Sequence, residues 1–481
     1  MNSKNKLRHN LTRIGLLLSL VISILFQPHS YAAQSINFMD AWKRVLQSND
    51  ALSAKAQGVR RAEHLQDATN DLQLPAVTLG ANYTRLDEDI RIKPSDLIAS
   101  MPVDDINQAL GITAPVLDGL FTSTLTDRNI LSSSIRALWP IFTGWRIEGA
   151  NNIAKAQIDE ANYILMMEQQ AKFEDLAKYY FSVVLAKQVL QTRVQVESGL
   201  KAHFNTATKL QQQGQINSLQ TLQAQVAYDK SKVERNKSLR DLEIAQTALN
   251  HLLKLSGDVS PITTLFINDD LPAVNKYKDK TLQGYPGLKM LSAKKSQAKG
   301  LIKVEKGKYY PDVYLYGNYN LYEEDTLAAQ IAPDWEVGVG ISIPLLDTSG
   351  RSGKTKAAHS AVLQVDYLIA QAKRDLSVLV EKTYQEANQA IEEHQGLASS
   401  LLLANKNYAL QNKAFKQGIS TSLDVVDAQL FIASIKTQRL VASYNYVISL
   451  CKLLALSSEI TSFKDYKDYK DYKSNKETRD K

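Results

Sequence analysis

The feature that most constrains this chain is that it is written twice. In the first half Trp139-Pro140-Ile141-Phe142-Thr143-Gly144 is followed, 74 residues after Pro140, by Gly214. In the second, Ile343-Pro344-Leu345-Leu346 is followed, 74 residues after Pro344, by Gly418. Both landmarks are offset by 204 residues, and Ser218-Leu219 and Ala224-Gln225 return as Ser422-Leu423 and Ala428-Gln429. Upstream, the run from Leu74-Pro75 to Tyr83 pairs with that from Tyr310-Pro311 to Tyr319. Pro75 and Pro140 are 65 residues apart, whereas Pro311 and Pro344 are 33 apart. The first copy therefore carries about 32 extra residues between two strand-like segments, where a loop tolerates them.

Between each proline and its glycine the composition is helical, rich in Ala, Leu, Lys, Gln and Glu and free of proline. A continuous helix of ~65 residues is ~100 Å long. Gly214 and Gly418 stand where each helix should stop, and Ser218 and Ser422 are placed to start a returning one. Each half thus predicts a long helical hairpin.

The strand-like segments alternate. Val77, Leu79, Ala81 and Tyr83 oppose Thr78, Gly80, Asn82 and Thr84, and Leu131, Ile135, Ala137 and Trp139 oppose Ser132, Ser134 and Arg136. In the second copy Val313, Leu315, Gly317, Tyr319 and Leu321 oppose Asn318 and Asn320, and Trp335, Val337, Val339, Ile341 and Ile343 oppose Glu336, Gly338, Gly340 and Ser342. The length, ~10–12 residues, suits a transmembrane β-strand. Such a pattern also suits a small soluble sheet, but the small polar face fits a water-filled lumen and the rods offer no globular body to cover it. Four strands cannot close a barrel, and open edges in lipid leave backbone groups unpaired. Two chains would give eight strands and a filled interior; three give twelve and a channel.

The ends support export. Lys4, Lys6, Arg8 and Arg13 precede an apolar stretch from Ile14 to Phe26, and Ser30-Tyr31-Ala32 offers a cleavage site, so residues 1–32 are expected to be a signal peptide. The lone cysteine, Cys451, among Leu450, Leu453 and Leu454, excludes an internal disulfide or Cys-based metal cluster and reads as a buried thiol. Of the formal charge of +7, the leader supplies +4 and the repetitive Lys464–Lys481 tail +2, which leaves no basic footprint for nucleic acid. Residues 457–481 are expected to be a disordered charged tail.

The ordered set Leu74-Pro75, Pro140-Ile-Phe-Thr-Gly144, Pro311, Pro344 and Gly418-Ile-Ser-Thr-Ser-Leu-Asp-Val-Val-Asp-Ala-Gln429 resembles the TolC family of outer-membrane efflux proteins over roughly Ser35 to Leu456. The resemblance implies a mainly α fold with a membrane β-barrel, made of two tandem repeats of strand hairpin plus long helical hairpin. The first repeat would span 33–252 (strands about 74–85 and 130–140, an extracellular insertion at 87–129, a helical hairpin at 144–252). An equatorial segment at 253–283 would join it to the second at 284–456 (strands about 311–322 and 334–344, helical hairpin 350–455). It further implies a homotrimer with a 12-stranded barrel in outer-membrane lipid and a 12-helix tunnel in the periplasm. The function implied is a passive exit duct of a tripartite efflux or type I secretion system, served by a periplasmic adaptor and an inner-membrane pump. The rival from another class is an exported coiled-coil scaffold or adhesin, which explains the helices but not the repeat-matched strands.

The same resemblance places the barrel-to-tunnel junction at Pro75, Pro140, Pro311 and Pro344 and an entrance gate around Gly214, Phe415, Gly418 and Ser420. Asp424 and Asp427, three apart on one helix face, would form an acidic selectivity ring, six carboxylates in a trimer. The residues alone allow a plainer reading, a solvated helix start favoured by the macrodipole. The family's best-studied member flanks the equivalent of Gly418 with a Tyr and an Arg; here those places hold Phe415 and Ser420, so an ionic latch is missing or built from other residues. No catalytic constellation is visible: the seven histidines show no His-x-x-x-His spacing, and Thr348-Ser-Gly350-Arg-Ser-Gly353-Lys354-Thr355 lacks the Walker spacing. The chain is read as a non-enzyme with no cofactor and no metal site.

Overall fold

The computed structural model describes residues 34–98, 114–255, 257, 259–323, 327–346 and 348–467. The leader expected at 1–32, the middle of the insertion with Met101-Pro102, and the tail from residue 468 lie outside the described residues. Helices α1 (Phe38–Ser48) and α2 (Asp50–Asn70) lead into strand β1 (Ala76–Arg85), and β2 (Asn129–Thr143) leads into α3 (Arg146–Gln212) and α4 (Ser218–Leu253). Then α5 (Val274–Gly284) and α6 (Pro286–Gly307) lead into β3 (Asp312–Glu323), and β4 (Trp335–Ser342) into α7 (Arg351–Lys416) and α8 (Ser422–Leu456). The chain divides into two compact units, one made of residues up to Ala54, 166–285 and 374 onward, the other of 55–165 and 286–373.

The second unit holds an antiparallel sheet in the order β1-β2-β3-β4. Directly opposed residues share a face, so its register can be read as rows. Leu79–Ile135–Tyr319–Trp335 and Val77–Ala137–Gly317–Val337 are apolar rows; Thr78–Arg136–Asn318–Glu336 and Gly80–Ser134–Asn320 lie on the other face. The apolar face is not covered within the unit: Leu79 and Val337 are each 73% exposed. Strands β1 and β4 are the edges, each paired on one side only.

The polar face is less open than its glycines suggest. A Cβ on Gly340 or Gly338 would collide with the ring of Tyr314 or Tyr316, so these glycines make room for two tyrosines of the neighbouring strand. Pro75 and Pro311 immediately precede β1 and β3, and Pro344 follows β4. Pro140 departs from the expectation that the second strand ends there: β2 continues to Thr143, and the ladder shifts register between Pro140 and Phe142. Proline has no N–H to give the ladder, and a bulge absorbs the gap without ending the strand.

Beyond β2 the chain turns through two left-handed residues, Gly144 and Trp145 (φ 61° and 63°). The conformation is unfavourable for Trp145, and edge-to-face stacking on Phe142 and Tyr310, with ring centroids 5.0 and 4.9 Å away, offsets it. Here α3 and α6 approach closely. A Cβ on Gly144 would lie 2.2 Å from the Gly307 carbonyl oxygen, and one on Gly300 would lie 2.6 Å from Ile153. Lys303 pairs with Glu148 (2.6 Å) and Lys294 with Glu160 (3.4 Å) along the contact.

The core of the first unit is aromatic. Phe38, at the start of α1, packs against Phe173, Tyr180 and Phe181 of α3 and against Phe463. The Tyr180 hydroxyl donates to the Ile36 carbonyl (2.7 Å) and accepts from the Thr263 N–H (2.9 Å), which ties the strand Gln34–Ile36 to the segment after its parallel partner Val259–Pro261. The tail expected to be disordered from 457 is ordered as far as Lys467. Phe463 is buried in this cluster, and the Tyr466 and Tyr277 hydroxyls lie 2.7 Å apart. Its Lys-Asp-Tyr composition concealed one apolar anchor, enough to hold the first part of the segment. Helix α8 is long and apolar enough to cross a bilayer by composition alone, yet it is mostly buried: Tyr446, Val447, Leu450, Cys451, Leu453 and Leu454 are core residues.

Candidate functional site: the hairpin turns

Both helical hairpins turn on the same backbone device. Gly214 and Gly418 are left-handed (φ 72° and 71°), where a side chain would be strained. The N–H of Gln215 reaches the Leu210 carbonyl (2.9 Å) and that of Ile419 the Ala414 carbonyl (3.0 Å). Gly214 and Gly418 donate to Gln211 and Phe415. These paired bonds are the Schellman closure, which satisfies carbonyls that a helix end leaves free.

The returning helices start differently. Asn217 caps α4 through a bond from the Gln220 N–H. Thr421 caps α8 in a reciprocal box with Asp424. One Asp424 carboxylate oxygen accepts from the Thr421 N–H (2.9 Å), the Thr421 hydroxyl (2.6 Å) and the Ser420 hydroxyl (3.2 Å). The Thr421 hydroxyl bond, then its N–H, hold the Asp424 carboxyl below its ordinary pKa. Ser420 also donates to Gln411 of α7 at 2.7 Å, so neutral hydrogen bonds close the turn.

The other aspartate is placed differently. Asp424 and Asp427 are both exposed on the same helix, but Asp427 borders a groove of about 720 Å³ between α3, α4 and α8. Leu423, Val426 and Leu430 of α8 and Leu222 and Val226 of α4 give the groove its apolar lining, and Arg193 joins Asp427 at its wall.

Phe415 lines no opening in the protomer. It is fully buried with Ala207, Ala224 and Val425, its ring 4.7 Å from that of His203. Placing it in the gate is corrected by the helix period, which turns it into the contact between α3, α4, α7 and α8. His203, which the sequence reading did not single out, is buried beside it and shares a 2.8 Å hydrogen bond with the Ser422 hydroxyl. Burial pushes its pKa down to about 4. Gln429 was missed in the same way: its amide donates to the Val196 carbonyl at 3.1 Å. A Cβ on Gly199 would lie 1.9 Å from that amide, so the glycine admits it. A glycine inside a helix without a turn nearby was the available signal. Among the described residues, no group of three or more His, Cys, Asp or Glu could hold a metal ion.

A sheet with one bare apolar face and two free edges, joined in one chain to long helical hairpins, defines a membrane protein of the channel-forming class. The family model for outer membrane efflux proteins matches residues 41–254 and 278–458. The chain belongs to the outer membrane efflux protein family. Members are outer-membrane channels with a helical tunnel in the periplasm, and that is where this chain resides. Among solved structures it is similar to CusC (15% identity over 90% of this chain and 95% of that one, TM-score 0.67). It is similar also to a membrane protein from Pseudomonas aeruginosa (14%, 87% and 93%, TM-score 0.69) and to VceC from Vibrio cholerae (12%, 87% and 96%, TM-score 0.65). At these identities the likeness carries the fold. No curated protein matches the sequence.

Proposed function

We propose that three copies of this chain close a twelve-stranded barrel in the outer membrane and a twelve-helix tunnel below it. The assembly acts as the passive exit duct of a tripartite efflux or type I secretion system, with a periplasmic adaptor and an inner-membrane pump as partners. One observation carries this reading: the four-stranded sheet has an uncovered apolar face, a polar opposite face and two unpaired edges. In lipid an unpaired edge costs several kcal/mol per backbone group, and pairing β4 of one copy with β1 of the next removes every edge. The apolar rows then face lipid and the rows through Arg136, Asn318 and Ser134 face the lumen.

In this assembly Pro75, Pro140, Pro311 and Pro344 stand near the barrel-to-tunnel junction. The insertion at 87–129 is extracellular, because it joins two strands whose other ends lead to periplasmic helices. Gly214, Gly418 and Ser420 sit at the entrance, where Asp427 and Asp424 from three copies supply the acidic ring. The capping role of Asp424 divides the labour: Asp427 has the freer carboxylate and carries most of the cation selectivity. Single-channel recording in a planar bilayer tests this. Asp427→Asn should lower cation selectivity and relieve block by multivalent cations applied from the periplasmic side, with trimers still recovered by cross-linking. Unchanged selectivity and block would leave the aspartates as a helix start only, and a monodisperse monomer in detergent would sink the barrel.

A further inference from the structure

We propose that α3, α7 and α8 hold a phosphate group in a polar cavity that the channel reading neither requires nor explains. The cavity, about 390 Å³, is lined by Gln188, Thr192 and Gln195 of α3, His394 of α7, and Lys436 and Arg439 of α8, with no carboxylate in its wall. Among the described residues, neither Lys436 nor Arg439 forms an ion pair. Arg439 donates from Nη2 to His394 Nε2 at 3.3 Å, and since a guanidinium only donates, that nitrogen is the acceptor and carries no proton. Lys436 Nζ donates to Gln195 Oε1 at 3.1 Å. Two cations therefore share one cavity with only neutral partners.

Two atoms in the wall are closed off from solvent and lack any hydrogen-bond partner. Arg439 Nε is a donor without an acceptor, and Gln188 Oε1 is an acceptor without a donor. Each is a cost of folding that a bound group offering both an acceptor and a donor removes. A carboxylate or sulfate at neutral pH supplies acceptors only. A singly protonated phosphate supplies acceptor oxygens for the guanidinium and ammonium together with one P–OH for the amide oxygen. Charge-assisted bonds from arginine to phosphate are among the stronger ones a protein makes. The cavity is larger than one phosphate, so both inorganic phosphate and a small phosphomonoester fit.

Equilibrium dialysis of the purified full-length protein in detergent, at fixed ionic strength in chloride, tests the site with radiolabelled inorganic phosphate. Saturable binding of one phosphate per chain is expected, displaced poorly by sulfate. Stronger displacement by glycerol 3-phosphate than by unlabelled phosphate would identify an ester as the preferred source; weaker displacement would identify the free anion. Arg439→Gln should weaken binding at least tenfold while leaving thermal stability in chloride unchanged or raised, because it removes an unpaired charge. Lys436→Gln, at a more exposed position, should weaken binding less and serves if the first variant does not fold. Absence of saturable binding, or equal affinity in wild type and both variants, overturns the site. Sulfate competing as well as phosphate overturns the contact to Gln188.

Discussion

The two halves of the chain share a backbone plan and differ in what their side chains meet. Both hairpins close on a left-handed glycine, yet Gln225 of the first is exposed where Gln429 of the second is buried against α3. Leu219, Leu222 and Val226 on α4 stand in solvent, whereas Val425 and Val426 on α8 are core. The same asymmetry recurs at the start of the long helices. Gly149 of α3 is pressed against α6, a Cβ there lying 2.8 Å from Val304 Cγ2, while Gly353, its counterpart 204 residues on, has nothing within 4 Å. A duplicated element that is packed in one copy and bare in the other implies a missing neighbour. In the proposed trimer that neighbour is the next copy, whose α2 presents to α7 what α6 presents to α3.

The largest expected effect separates these two glycines. Gly149→Leu forces α3 and α6 apart where backbone meets backbone, and overpacking of this kind costs about 3 kcal/mol or more. Thermal unfolding should fall sharply and little folded protein should be recovered. Gly353→Leu meets open space within the protomer and gains helix propensity, up to about 1 kcal/mol. Its protomer should unfold no earlier than wild type while the cross-linked trimer fraction falls. If Gly353→Leu assembles normally, the bare face of α7 is not a boundary between copies.

The second effect concerns the buried histidine that only the second hairpin engages, through Ser422. In the folded protein His203 is pushed down to about 4 from an ordinary 6.5. Above pH 6.5 it is neutral in both states and the folded protein keeps its full stability. As pH falls from 6.5 toward about 4, the unfolded chain takes up a proton that the folded one refuses, and stability is lost. The full loss is on the order of 3 kcal/mol, because each tenfold change in proton affinity is worth about 1.4 kcal/mol. His203→Gln keeps a partner for Ser422 and should flatten stability between pH 6.5 and 4. An unchanged acid slope in this variant would mean that another group controls the window.

These contrasts also show what could be read from the amino acids. Helix ends were legible because Gly214 and Gly418 mark a backbone conformation that other residues avoid, and the strands because alternation has a period of two. The motif from Leu423 to Gln429 was legible as a landmark but not as chemistry. In the structure Asp424 caps the helix, Val425 and Val426 are core, Gln429 joins two helices, and Asp427 is left facing the groove. The burial of Phe415 and His203 was hidden because it depends on which faces of four helices meet, a long-range matter that spacing within one helix does not fix. Phe463 was hidden by its neighbours, whose repeated charges describe the tail and not the anchor.

The smallest effect bears on the helix starts themselves, and the first hairpin serves as its control. Position N3 is Gln220 in α4 and Asp424 in α8, so Asp424→Asn makes the second start resemble the first by removing its charge. The loss of a charged acceptor from a capping box should cost about 0.5–1 kcal/mol. Because the folded pKa of Asp424 lies below the ordinary 3.8, this stabilisation is present above that value and disappears as pH falls through the lower folded value. The acid window of Asp424 therefore lies below that of His203, and in a His203→Gln background the two separate. Chemical denaturation from pH 7 to pH 3 in that background should show Asp424→Asn lower in stability near neutrality and converging with its parent at the acid end. Gln220→Ala, at the matching place in α4, should change stability less and without pH dependence. If Asp427→Asn reproduces the acid convergence and Asp424→Asn does not, the cap is assigned to the wrong aspartate, and the division of labour proposed for the entrance is reversed with it.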